Sequence, residues 1–218
     1  MHRRRRTALA VTAATLLAAP LLSACGSEAH PGAAAVVGGD RIEMSTIQAQ
    51  VADVRGAQEE SGQSGKLVKE SGQLTRAKLH STVFARVLDR ASEDAGVSVS
   101  RKEIQQARSA TAAQAGGDEG MRTAMLEQFW LAPDQIEQDL RTRIQLQKLA
   151  LALGADVQSP EGQQTVTKAL TDASKALDID INPRYGAWDD QKVQLSTYAS
   201  PWIKQVTRSP QQGPETGA

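Results

Sequence analysis

Cys25 is the only cysteine in the 218 residues, and it carries the plainest chemistry in the sequence. A thiol is a strong nucleophile once deprotonated, and with no second cysteine it has no disulfide partner within the chain. The other reactive side chains form weaker patterns. Beyond residue 24 the histidines are His30 and His80. With no cysteine besides Cys25, neither has the partners of a zinc site, and His80 reads as a helix-surface residue. Asp178, Asp180, Asp189 and Asp190 are dense enough to test as calcium ligands. They lack the glycine-centred loop and terminal glutamate of such a site, so they read as strand and turn carboxylates. Ser61-Gly62-Gln63-Ser64-Gly65-Lys66 lacks the first glycine of a phosphate loop and the Ser/Thr after its lysine. It also lacks Gly-x-Ser-x-Gly spacing, and a solvated loop is the better reading. No triad or carboxylate pair emerges, so no catalytic, cofactor-binding or metal-ligating residue is assigned.

The pattern around Cys25 gives its thiol a fate. Four arginines, Arg3 to Arg6, precede a run from Thr7 to Leu22 without a charge. A basic cluster, a short apolar stretch and small residues before a cut site make a secretory signal. The run falls short of the ~20 apolar residues of a spanning helix, and Pro20 interrupts it. Leu22-Ser23-Ala24-Cys25 resembles the lipobox at which lipoprotein-processing enzymes acylate a cysteine and then cleave before it. The alternative, an ordinary cysteine in a secreted chain, leaves a free thiol open to oxidation, which lipidation removes. Two or more acyl chains anchor a protein stably, where one does not.

A second constellation suits binding rather than catalysis. Met121, Met125 and Phe129 recur every four residues on one helix face, with Leu126 and Trp130 alongside. Methionine and aromatic side chains adapt to varied apolar partners, as a peptide-binding groove requires. The same face also suits a core, and the two readings are compatible where helices line a cradle.

Composition narrows the rest. Removing residues 1–24 removes four arginines and no acid, which leaves 21 Lys+Arg against 25 Asp+Glu. A mildly acidic chain with no dominant basic face is a poor nucleic-acid binder. Aromatic content is only 3% and much of the apolar fraction is alanine, which points to a thin helical core.

The elements that must position these residues are mostly helices. Residues 25–33 have linker composition. Ala34–Val37 and Arg41–Met44 flank Gly38-Gly39-Asp40 and read as a tight hairpin. Ser45 is placed to cap a helix to about Arg55, and the Gly/Ser/Gln-rich residues 56–73 read as a loop. Helices are predicted over Leu74–Ala95, from the capping box at Ser100–Glu103 to Gly116-Gly117, around Met121–Trp130, from Pro133 to Gly154, and from Ser159-Pro160 to about Leu177. Asp178–Asn182 alternates polar and apolar residues and reads as a strand. Its earlier partners lie only in the opening hairpin, so the sheet is small and joins the two ends of the domain. Tyr185 and Trp188 are expected to cover its open side. The boundaries are a signal peptide over 1–24, a linker over 25–33, a module over 34–190 and an extension over 191–218 whose end is expected to be disordered.

This order of elements resembles the N-terminal chaperone module of the SurA and PrsA group, shared in part with trigger factor. The resemblance rests on Ala35-Val36-Val37-Gly38-Gly39-Asp40-Arg41-Ile42 at the opening and on the helix pair from Met121 to Gly154. It also rests on Ile181-Asn182-Pro183-Arg184-Tyr185-Gly186-Ala187-Trp188-Asp189 at the close, which is similar to actinobacterial members. It spans about residues 33–190, with Gly38 where the family usually has asparagine. The fold it implies is mainly α with a small sheet from the N-terminal hairpin and a C-terminal strand. A parvulin isomerase domain would need roughly 90–100 residues before the returning strand, as the resemblance implies. Ala155 to Asp178 reads as one helix, so isomerase activity is expected to be missing.

The function expected is that of a lipid-anchored module outside the cytoplasmic membrane, binding unfolded exported polypeptides without ATP or cofactor. An adaptor for one envelope partner is the alternative, and a small-ligand carrier is disfavoured by the low aromatic content. The lipobox makes the first prediction: Cys25→Ser leaves the protein unacylated, as uncleaved precursor or released to the medium. Recovery of a mature-sized, acylated variant in membranes would refute the anchor.

Overall fold

The computed structural model describes residues 32–61 and 71–197, so the signal segment, Cys25 and the Gln63–Lys66 part of the loop lie outside the described residues. Strand β1 (Ala33–Val37) turns through Gly38-Gly39 into β2 (Asp40–Glu43), with Val37 opposite Asp40 and Ala35 opposite Ile42. Both turn glycines have positive φ, 59° and 84°, as a two-residue hairpin matched to strand twist demands. A side chain at Gly38 would meet Leu177, whose carbonyl accepts the Gly38 amide at 2.5 Å. The turn is thereby fastened to the end of the last helix.

β1 is buried along almost its whole length, whereas β2 buries only Ile42. The difference follows from position: β2 is an edge, and β1 lies between β2 and β3 (Asp180–Ile181). Ala35 pairs antiparallel with Ile181 and Val36 with Asp180. Asn182 prolongs the contact, its amide donating to the Ala34 carbonyl at 3.0 Å and its side chain to the Ala33 carbonyl at 3.1 Å. The two ends of the module therefore close one three-stranded sheet, as the alternation at Asp178–Asn182 predicts.

Among the described residues, six α-helices fill the interval. Helix α1 (Met44–Glu60) starts one residue before Ser45, and no side chain caps it. Strand β2 runs straight into it, and the Met44 amide finds the Gly32 carbonyl at 2.8 Å. It also continues past Arg55, because Ile47, Val51, Val54 and Gln58 extend one buried stripe through Gly56. Helix α2 (Ser71–Asp94) is about 36 Å long at 1.5 Å per residue. It buries Leu74, Leu79, Val83, Val87, Leu88 and Ala91. The segment expected as a loop over 56–73 is thus helical at both ends. Gly96 ends α2 with its amide on Glu93 and that of Val97 on Ser92, the paired bonds of a left-handed helix cap.

Helix α3 (Arg101–Gln114) opens with the predicted capping box, Ser100 and Glu103 each accepting the other's backbone amide. Helix α4 (Asp118–Phe129) follows Gly116-Gly117, and Pro133–Gln135 form a 3-10 turn before α5 (Ile136–Ala152). Helix α6 (Pro160–Ala176) has Pro160 in its first turn and the Ser159 hydroxyl on the Gly162 amide. Among the described residues no helix is long and apolar enough to cross a membrane.

One element is absent from the sequence reading. Residues 187–196 form a second hairpin, β4 (Ala187–Asp189) with β5 (Gln194–Ser196), which carries the ordered fold past residue 190. Its strands are three residues long, too short for an alternation pattern to register. Tyr185 and Trp188 lie against the cluster of Ala35, Val37, Ile42, Ile47, Leu79 and Ile181, as expected, and Leu195 of the second hairpin joins them. Buried Val193 reaches the second cluster, among α2, α5 and α6.

Ile181 is buried at the junction between the two chain ends. Ile181→Ala should therefore destabilise the module by ~2–4 kcal/mol, and truncation before Asp178 should abolish its cooperative melt. Removing residues 209–218 should change neither. Denaturant titration of the three variants measures this, and an unchanged midpoint for Ile181→Ala would show that the ends do not hold each other.

Candidate peptide-binding surface

The four residues of the methionine–aromatic pattern all sit on or just after α4, but they divide among three environments. Met121 and Met125 point inward against Ile136 and Leu140 of α5, with Ala107, Ala112 and Ala115 of the α3 region and Leu131 around them. Met121 has no exposed surface. These two side chains are core in this conformation, as the core reading of this face expects. The reason is that α3 folds back over them. One turn later the stripe emerges, and Phe129 is 48% exposed. The Arg143 guanidinium lies 4.7 Å from its ring centre, a cation–π contact, while the same group pairs with Asp139 at 2.6 Å.

Trp130 turns away from the others. It adopts a left-handed conformation at φ 54° and ends the helix, its amide on Leu126 and that of Leu131 on Met125. A bulky residue in that region is strained, so its neighbours must hold it. Its ring lies against Val51, Val54, Leu74, Leu126 and Ala132. Its carbonyl accepts the Lys78 ammonium at 2.7 Å.

Lys78 is the residue that sequence reasoning missed. It is buried on α2, and its ammonium also donates to the Gln135 side-chain oxygen at 2.5 Å. The Gln135 amide group in turn donates to the Gln50 carbonyl at 2.9 Å. One cation thus ties α2 to the α4–α5 connection, and through Gln135 to α1. Burial pulls its pKa down from 10.5 to about 8, against the opposing pull of Asp134, Asp139 and Asp53. The available signal was positional: Lys78 lies one helical turn after Leu74, on the buried side.

α3 is held by polar contacts at its rim. Glu103 pairs with Lys148 of α5 at 2.7 Å, Arg108 with Asp118 at 2.7 Å, and Gln105 donates to Glu137 at 3.2 Å. Hydrogen bonds from Lys148 and Ser100 hold the Glu103 carboxyl down at about 2, so it is a carboxylate at neutral pH.

His80 is not a free surface residue. The second hairpin lays Trp188 across it, with ring centres 5.8 Å apart, and Phe84 stacks at 6.1 Å on its own helix. Burial lowers its pKa, opposed by a hydrogen bond to the Val193 backbone. The Trp188 indole donates to the buried Ser174 hydroxyl at 2.7 Å, which donates to Asp190 at 2.5 Å. Asp189 accepts the Gln191 and Lys192 amides. The acidic residues near the C-terminus are therefore turn and joint groups. No three potential metal ligands converge among the described residues.

With this geometry in view, comparison with known families is decisive. The SurA-like N-terminal domain family matches residues 1–150, more than half of the chain. The chain belongs to that family. No curated protein matches it, nor does any solved structure. The family match ends within α5, so α6 and the strands that close this SurA-like module lie beyond the matched residues. SurA N-terminal domains are non-catalytic chaperone modules, isomerase activity residing in the separate parvulin domain.

The buried lysine sets a pH dependence. Between pH 8 and 10.5 the unfolded chain holds the Lys78 proton and the folded chain releases it. Stability rises with pH wherever the unfolded state binds more protons. Wild type should therefore gain stability relative to Lys78→Met across that window, with the difference constant below it. Denaturation midpoints of both proteins from pH 7 to 10.5 test this, and a flat difference would mean the ammonium is not desolvated.

Proposed function

We propose that this protein is a lipid-anchored chaperone outside the cytoplasmic membrane, holding unfolded exported polypeptides without ATP and catalysing no reaction on them. Membership of the SurA-like N-terminal domain family carries the reading, because that module binds polypeptide substrates in general. The local chemistry agrees with it. Phe129 offers an exposed aromatic at the end of a methionine stripe, and soft apolar side chains accept clients of varied sequence. Acylation at Cys25 would leave the module on a tether of residues 25–32, at most about 29 Å when extended. Clients leaving the membrane would be met within that radius.

The test is an aggregation assay with two unrelated, chemically unfolded substrates. The chaperone reading expects light scattering to fall for both as the protein is added, and Phe129→Ser to weaken the effect. If neither substrate is protected and crosslinking in cells recovers a single stoichiometric partner, the protein is an adaptor instead.

A further inference from the structure

We propose that the face formed by Met121, Met125, Ile136 and Leu140 is a client-binding groove that α3 occupies in the resting protein, and that an amphipathic helical segment of an unfolded chain takes α3's place. The proposal rests on the chaperone reading above and names the site and the chemistry of its ligand.

The observation behind it is a mismatch between this face and its cover. The face is built from four large apolar side chains, of which Met121 and Ile136 have no exposed surface. The helix lying over it has no fully buried residue. What α3 and its C-terminal cap press onto the face are the half-buried alanines Ala107, Ala112 and Ala115. Alanine returns little apolar area per residue, so a helix carrying leucine, methionine or phenylalanine at those spacings would bury more. The flexible thioethers of Met121 and Met125 can make room for such side chains.

The polar ties of α3 suit a reversible cover. Glu103–Lys148, Arg108–Asp118 and Gln105–Glu137 all join side chains that water reaches. Exposed pairs of this kind contribute little, and water replaces them readily. The chain on either side can accommodate movement. Val97–Ser100 is neither helix nor strand. On the other side Gly116 and Gly117 have φ of 79° and 121°, and a side chain at either would meet nothing within 4 Å. Phe129, at the open end of the same stripe, gives a client its first contact before α3 leaves. When α3 leaves, α5 offers Glu137 and Lys148 at the rim, while Asp118 keeps its pair with Arg122, which suits a client helix with charges of both signs flanking its apolar stripe.

The experiment holds α3 in place. In the full chain carrying Cys25→Ser, the exposed residues Gln105 and Glu137 are replaced by cysteine and joined by a bis-maleimide with a reducible linker. The probe is a fluorescent amphipathic peptide of ~18 residues, five helical turns, with leucine at helical spacing. A peptide of the same composition without that spacing is the control. The unlinked protein should bind the probe, and the linked protein should bind it at least about tenfold more weakly, as expected when the competent state is withheld. Reducing the linker should restore binding. Equal binding by linked and unlinked protein, or no preference over the control peptide, overturns the proposal. The aggregation assay run on the same unlinked protein reports separately on the chaperone reading, so failure of the groove and failure of the function are distinguishable.

Discussion

Pairing of β1 with β3 brings together residues about 145 positions apart, and the rest of the module depends on it. Without β3, β1 and β2 would form an isolated hairpin, which is marginal in water. With β3 in place, β1 becomes a central strand whose alanines and valines are covered by α1 and α2. Closing so long a loop costs conformational entropy, but that cost grows only slowly with length. It is offset by burial of Ile181 and by the two hydrogen bonds from Asn182. The bond from Gly38 to Leu177 and the contacts of Trp188 with α6 reinforce the same closure. Helix α2 then acts as the rod against which both cores are built, since its buried residues contribute to the sheet-side cluster and to the α5–α6 cluster alike.

Against this closed frame, the α3–α5 region is put together differently. The sheet and α2 are held by buried β-branched and leucine side chains, whereas α3 is held by alanines and by polar pairs at its rim. The two kinds of attachment predict different stabilities within one module, since regions with few buried apolar contacts open at lower free energy than the core. A chaperone module needs a rigid part to keep its shape and a softer part to admit clients. Here the division falls between α2 with the sheet on one side and α3 over α4 and α5 on the other. The buried Lys78 network marks the seam, because it secures the strained Trp130 and the start of α5 to α1 and α2. Removing one partner of such a network strands the others unsatisfied.

The comparison of sequence with structure divides along the range of the forces involved. The capping box at Ser100–Glu103, the Ser159-Pro160 start, the glycine turn at residues 38–39 and the helical stripe of α2 all rest on neighbours within a few positions. Those elements were legible, as was the mainly α fold with a sheet joining its ends. The family resemblance rested on their order. Equally local, and equally a property of the chain itself, is the basic–apolar–lipobox pattern that ends at Cys25.

Tertiary structure decided which apolar residues are available. Met121, Met125 and Phe129 form one stripe by helical period alone, yet α3 covers the first two and leaves the third open. The period of α4 does not encode that cover, because it depends on how α3 returns over α5. Lys78 carries a charge that local reasoning assigns to solvent, and the carbonyl of Trp130 and the side chain of Gln135, more than fifty residues away, satisfy it where it is buried. His80 was a helix-surface residue until Trp188 and Val193 arrived from a hairpin too short to show a period. Periodicity and capping are settled by interactions along the chain. Burial is settled by what packs from elsewhere, and in this protein the candidate binding site is a matter of burial.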